Sequence, residues 1–259
     1  MSPRLLFTPV YQSILTFNIL WVALLLATTS ACALAKQEKP LRIAVAANFY
    51  PVLKTLKPLF ELKSQQKIQL ISGASGTLYQ QIMHGAPFDV FLSADSVRPI
   101  SLVERKRAVA NSLTTYAQGQ LSLWSSKKHI NNISDLTTYK GKLAIANPDI
   151  APYGKAAKQV MVHLGLWDAF NKQLITGINI NQTFQQVRSG AAELGIVAKS
   201  QLVVNNLKGL DIPVSFYHAI NQQAVIINHT KQRALAEQFM HFLMSYSVQN
   251  QLPSFGYQS

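Results

Sequence analysis

Residues 71–82 read ISGASGTLYQQI, and the chemistry open to this chain turns on Ser75 in the middle of that turn. A serine between an apolar run and a helical segment can be a nucleophile on a strained elbow, a helix N-cap, or a hydroxyl donor to a bound anion. The elbow requires Gly-x-Ser-x-Gly. Here Gly76 comes one residue early and Thr77 stands in its place. A hydrolase built on Ser75 would also need histidine and carboxylate partners. His84, His129, His163, His218, His229 and His241 lie in no catalytic motif, and no pair of them has zinc-binding helical spacing.

Three other stretches carry chemistry of the same kind. Ala46-Ala47-Asn48-Phe49, Asn147 to Gly154 and Gly177 to Asn181 are small or neutral polar segments, with Asp149 their one charge. Each follows a strand-like run and precedes a helical one. A helix start leaves backbone N–H groups unpaired and carries positive partial charge, so it can hold an anion without a cation. Four converging starts would suit a small, compact dianion, with Gly73 and Gly76 letting backbone N–H groups come close. The alternative at each is a cap, a turn or a packed aromatic and nothing more.

The elements that must position these turns alternate between β-rich and helical runs. Strands are predicted at 41–47, 67–72, 88–94, 121–126, 142–147, 174–178 and 193–198, with two further strand-like runs at 214–220 and 222–228. Between them, helical spacing covers 51–64 (with Pro58 a candidate kink), 77–84, 97–106, a short turn from Asp135 capped by Ser134, 153–164 and 181–189. A last helix spans 231–246. Gly165 and Gly190 stand as C-terminal stops. This alternation predicts an α/β fold with mainly parallel sheets, whose ligands sit beyond the carboxyl ends of the strands.

Residues 1–35 read as a cleavable secretory signal peptide: one cation at Arg4, a short apolar core and an Ala33-Leu34-Ala35 site. Cys32 is an alternative lipidation point, although Thr29 stands where lipid-modified chains usually carry leucine. Cleavage after Ala35 removes the only cysteine, and with it any disulfide or thiolate chemistry. The remainder is long enough for one large domain or two lobes. The chain carries 24 Lys+Arg against 11 Asp+Glu, a formal charge of +13. Such a field favours anionic partners. The cations are scattered, however, and Lys127-Lys128-His129 is the densest short group. Nucleic acid is therefore not expected, and a membrane patch would need a tighter cluster.

In sum, Ala46-Ala47-Asn48-Phe49, Ser72 to Gly76, Gly85-Ala86-Pro87-Phe88-Asp89-Val90-Phe91-Leu92-Ser93-Ala94-Asp95, Ala146-Asn147-Pro148 with Ala151 to Gly154, Leu164 to Trp167 and Glu193 to Ala198 resemble the periplasmic molybdate-binding proteins of ABC importers. The resemblance implies a type II periplasmic-binding-protein fold, two α/β lobes joined by a hinge of two crossovers. Lobe one would be 41–119 plus 222–259 and lobe two 120–221. It implies a monomeric, non-enzymatic periplasmic protein that holds molybdate, or tungstate, dehydrated between neutral donors and delivers it to a membrane ABC permease. No cofactor and no direct metal–protein bond are expected. Residue by residue, the resemblance places the ligand donors at Asn48, Ser75, Tyr153 and Ile180, with Ala47 a further backbone contact. Ala198 stands where some relatives have tyrosine, a hydroxyl that Tyr153 would replace. Another tetrahedral oxyanion, sulfate or phosphate, is the alternative ligand, and a hydrolase using Ser75 the alternative class.

Overall fold

The computed structural model describes residues 39–170 and 172–258. The expected signal peptide and Cys32 lie outside the described residues.

In chain order the elements are β1 (Leu41–Ala46), α1 (Tyr50–Ser64), β2 (Ile68–Gly73), α2 (Ser75–Met83), β3 (Val90–Leu92), α3 (Val97–Glu104), β4 (Thr114–Gly119), β5 (Leu121–Trp124), α4 (Asp135–Thr138), β6 (Leu143–Ala146), α5 (Pro152–His163), α6 (Trp167–Phe170), β7 (Leu174–Gly177), α7 (Ile180–Arg188), β8 (Leu194–Ala198), α8 (Lys199–Val204), β9 (Leu210–Asp211), β10 (Ile220–Ile226), α9 (Arg233–Leu243) and α10 (Tyr246–Gln249). They form two five-stranded sheets, ordered β2-β1-β3-β10-β4 and β7-β6-β8-β5-β9. Strands β6 and β8 are buried throughout, as strands covered by helices on both faces must be.

Each sheet is mixed rather than mainly parallel. In the first, β2, β1 and β3 run parallel, and β10 runs antiparallel to both β3 and β4. In the second, β7, β6 and β8 run parallel, and β5 runs antiparallel to β8 and β9. The cause is the chain path. It leaves the first sheet along β4, enters the second along β5 one residue later, and returns along β10, so β5 and β10 enter each sheet against its parallel core. Two crossovers therefore join the lobes, at Gln120 and at residues 212–219. They are tied by Ile212 N–H to the Leu121 carbonyl (3.0 Å) and by Leu121 N–H to the Tyr217 hydroxyl (3.2 Å).

Several predicted elements shift. Helix α1 runs unbroken through Pro58, burying Val52, Leu53, Leu56 and Phe60 on one face, and ends at Gln65 in the left-handed region. The strand expected at 214–220 is a 3-10 turn over Val214–Phe216, and β10 begins at Ile220. The last helix breaks at Ser245, whose extended backbone starts α10. Strand β4 and helices α6 and α8 had no expectation in the sequence. Ser134 precedes α4 but makes no side-chain cap.

Candidate functional site

All four strand-to-helix junctions meet at the interface of the lobes. Ala46, Ala47, Ala74 and Ala94 of the first sheet share one buried apolar cluster with Ala151, Tyr153, Ile180 and Ala198 of the second. Backbone bonds link neighbouring junctions: Ala47 N–H to the Gly73 carbonyl (3.0 Å), Gly76 N–H to the Ile150 carbonyl (2.9 Å), and Asn147 N–H to the Gly177 carbonyl (2.8 Å).

Within this frame four N–H groups are left over. Around Asn48, the amides of Ala47 and Phe49 donate to Gly73 and Ala46. At α5, Ala151 donates to Asn147 and Pro152 has no N–H, so Tyr153 is the first donor of the helix. At α7, Asn179 Oδ1 caps Asn181 and Gln182 (2.9 and 3.0 Å), leaving Ile180 outside the cap. Ser75 opens α2 in the same way. Among the described residues, the N–H groups of Asn48, Ser75, Tyr153 and Ile180 donate to no protein acceptor. These residues are only 1, 1, 2 and 3 % exposed, so bulk water does not satisfy the amides either. Buried orphan donors are rare, and four at converging helix starts make a cradle for an acceptor-rich ligand.

Two hydroxyls have the same character. Ser75 is not a cap: Ala74 takes that position, and Ser75 Oγ accepts the Ala94 N–H at 2.9 Å, its one hydrogen bond among the described residues. Its proton is free to donate. The Tyr153 oxygen accepts from Gln222 Nε2 (3.2 Å) and Asn48 Nδ2 (3.3 Å), which turns its own proton elsewhere. Burial, reinforced by the neighbouring Tyr257, Tyr116 and Tyr217, pushes its pKa well above the ordinary tyrosine value. The hydroxyl therefore stays protonated, and both side chains are neutral donors with loaded lone pairs.

Asn48 plays a different part from the one expected. Its Nδ2 faces Gln222 Oε1 (2.9 Å), Tyr257 Oη (3.2 Å) and Tyr153 Oη, so its two protons are taken up inside the protein. Its remaining donor is the backbone N–H. Asn48 Oδ1 is buried with no protein partner among the described residues, as is Ser200 Oγ. Around Asn48 stands a network that sequence patterns do not mark. Tyr257 Oη donates to the Asn48 carbonyl (3.2 Å), and Tyr116 Oη lies 3.0 Å from Gln222 Oε1 and 3.2 Å from the Ser93 carbonyl. Gln222 lies inside a strand and Tyr257 two residues before the last one, positions with no motif. Their neighbours Asn221, Gln223 and Gln258 are polar as well, so polarity did not single them out.

Two further expectations are corrected. The Ala47 N–H is engaged by Gly73, so Ala47 offers no backbone donor. Gly76 does not open a path for an anion; its own N–H binds Ile150 of the opposite lobe, and a Cβ there would lie 2.8 Å from the Ile150 carbonyl. Gly76 therefore serves lobe–lobe contact, alongside Arg98, which bonds the Asp149 carbonyl (3.3 Å) while paired with Asp95. A cavity of about 1110 Å³ flanks this contact between α2, α3 and α5. None of the four donor residues lines it, and it is far too large to hold one tetrahedral ion. No histidine bonds Ser75 among the described residues, and no group of three His, Cys, Asp or Glu residues is placed to hold a metal.

Two mixed α/β lobes, two crossovers and a buried donor-lined cleft between them define a periplasmic-binding-protein fold. Residues 41–258 match the bacterial extracellular solute-binding protein family, and the chain belongs to it. It is 38 % identical over 232 residues to the molybdate-binding protein ModA of Azotobacter vinelandii, covering 87 % of this chain and 92 % of that one. It is also 38 % identical to ModA of Rhodobacter capsulatus, covering 83 % and 86 %. The solved periplasmic molybdate-binding protein of A. vinelandii superposes with a TM-score of 0.81 at 36 % identity, over 85 % of this chain and 99 % of that one. The sulfate-binding protein SubI of Mycobacterium tuberculosis shares the fold, with a TM-score of 0.71 at 12 % identity over 85 % and 86 %.

Proposed function

We propose that the chain captures molybdate, with tungstate also accepted, in the interlobe cleft and delivers it to a membrane ABC permease. In this reading it works as a periplasmic monomer, without a cofactor and without catalysis, after removal of residues 1–35. Lobe one comprises 41–119 with 220–259, two residues earlier on the return than the sequence suggests because Ile220 and Asn221 already pair with β4, and lobe two lies between the crossovers.

The observation that carries the reading is the set of six buried, neutral, unengaged donors. They are the N–H groups of Asn48, Ser75, Tyr153 and Ile180 and the hydroxyls of Ser75 and Tyr153. Two of these four residues belong to each lobe, so a bound ion would bridge the cleft and favour its closure. Neutral donors suit a dianion that must later be released, since no buried lysine or arginine has to be desolvated. The 38 % identity to proteins named for molybdate points to this oxyanion over its analogues. Discrimination from sulfate then rests on size. Donors fixed by backbone and by the Asn48–Gln222–Tyr257 network suit longer metal–oxygen bonds and leave the smaller ion under-bonded.

The test is calorimetry of the mature protein with molybdate, tungstate, sulfate and phosphate. Tight binding of the first two with weak response to the others is expected. Tight sulfate binding with silent molybdate would overturn the ligand, and turnover of simple esters lost in Ser75→Ala would overturn the class.

A further inference from the structure

The sequence scatters its cations, but the fold gathers four of them beside a histidine. A second cavity, about 420 Å³, is lined by Lys127, Lys128 and His129 after β5, by Arg188 at the end of α7, and by Lys208 before β9. Among the described residues, no aspartate or glutamate lines it. None of its lysines or its arginine makes an ion pair among the described residues, whereas Lys57, Lys67, Arg98, Lys199 and Arg233 elsewhere do. Glu193 is near: it accepts the Tyr139 hydroxyl (3.4 Å), and Lys128 lies over that ring, yet Glu193 stays outside the cavity wall.

The floor is built rather than incidental. Ser125 is buried, and its Oγ accepts the N–H groups of Lys127 and Lys128 (3.2 and 3.3 Å), which holds the two lysines on one turn with the serine proton unengaged. Arg188 is steadied by Asn205 Oδ1 at 3.2 Å. Strand polarity places the pocket. Trp124, at the end of β5, pairs with Gly195 at the start of β8, whereas the cleft lies beyond the carboxyl ends of β6, β7 and β8. The basic pocket is thus at the pole of lobe two remote from the cleft, and the oxyanion site does not account for it. Unpaired like charges in close array repel one another, and a bound anion relieves that repulsion.

We propose that this pocket binds phosphate groups, as a second anion site independent of the cleft. Its width and exposed ammonium groups suit phosphate groups, borne either on an anionic phospholipid headgroup or by free phosphate and pyrophosphate. The first source would seat lobe two on a membrane surface, with each lysine contributing to the attraction.

The experiment uses the mature chain, Lys127→Glu/Lys128→Glu/Lys208→Glu, and a charge-matched control, Lys54→Glu/Lys63→Glu/Lys231→Glu, all checked for unchanged melting temperature. Co-sedimentation is measured with phosphatidylcholine vesicles with and without phosphatidylglycerol, and calorimetry with inorganic phosphate and pyrophosphate. Binding to the anionic vesicles that falls on the order of 100-fold in the pocket variant, and far less in the control, assigns the lipid headgroup. Pyrophosphate or phosphate heat lost only in the pocket variant assigns the free anion. Equal losses in both variants, vesicle binding and anion heat both retained by the pocket variant, or no binding by the wild-type protein in either arm would overturn the proposal.

Discussion

As proposed, the cleft and the pole of lobe two receive negative charge by opposite means. At the cleft, as proposed, every donor is neutral, buried and held by a second group: Ser75 by the Ala94 amide, Tyr153 by Gln222 and Asn48, Asn48 by Tyr257, and Ile180 by Gln201. At the pole the donors are charged, exposed and borne on long side chains. The difference follows from water. Where the ligand is enclosed, a buried ammonium would cost several kcal/mol to desolvate, so dipoles fixed in advance are the better partner. Where solvent remains, a neutral hydroxyl cannot compete with it and only charge attracts over distance. Fixed dipoles can measure bond length, whereas exposed charges register only sign.

The sharpest way to break the cleft is to push one of its fixed dipoles aside. A Cβ on Gly119 would fall 2.2 Å from the Tyr153 hydroxyl oxygen. Gly119→Val therefore displaces Tyr153 and unties Gln222 and Asn48 with it. Losing two charge-facing hydrogen bonds costs about 3–6 kcal/mol of oxyanion binding, at least 100-fold in Kd by calorimetry. Vesicle binding at the pole should not change. Ser75→Ala follows in size. It removes one hydroxyl donor and orphans the Ala94 amide, and molybdate affinity should fall by about 1.5–3 kcal/mol. Asn48→Ala should also weaken binding, but by loosening Tyr153, since the Asn48 amide protons face inward. Unchanged affinity in both variants would remove these residues from the site.

Much of this contrast could be read in the chain itself. The strand-to-helix junctions were legible because helix starts follow local rules: small residues after a buried strand, then an apolar face at helical spacing. Ser75, Tyr153 and Ile180 fall at such starts. The supporting network was not, because Gln222, Tyr116 and Tyr257 come from two strands and the chain end, and their proximity is a product of tertiary folding alone. The same reason hid the basic pocket, since Arg188 and Lys208 join Lys127 and Lys128 only once α7 and β9 pack beside β5. Strand β4 was missed because TTYAQG carries no apolar alternation; its place comes from pairing with β10. Reading Ser75 as a possible cap failed by one residue, the usual error at a helix end.

Tyr257→Phe tests whether the network matters beyond stability. It removes the hydroxyl that bonds both the carbonyl and the amide of Asn48, at about 1 kcal/mol per bond. Oxyanion affinity should fall about 10-fold, with sulfate losing less than molybdate because a loosened ring fits a smaller ion no worse. A lowered melting temperature with unchanged affinities would mark Tyr257 as structural only.

The smallest expected effect is that of pH on the cleft, where the contrast with the pole is most specific. Burial raises the pKa values of Tyr116, Tyr153 and Tyr257 above the ordinary tyrosine value, and no other titrating side chain takes part in the donor set. Affinity for a fully ionised dianion should therefore stay flat from about pH 6 to pH 9, below the ordinary tyrosine pKa of about 10. Because the folded pKa values lie above the unfolded ones, the associated stability is fully present below about pH 10. It is lost as pH rises toward the folded values, since the unfolded chain then releases protons first. Melting temperature should hold through neutrality and drop above about pH 10, with cooperative unfolding releasing the tyrosinate signal. A titration of affinity near neutral pH would mean that a charged side chain enters the cleft, and the distinction between its neutral donors and the charged pole would fail.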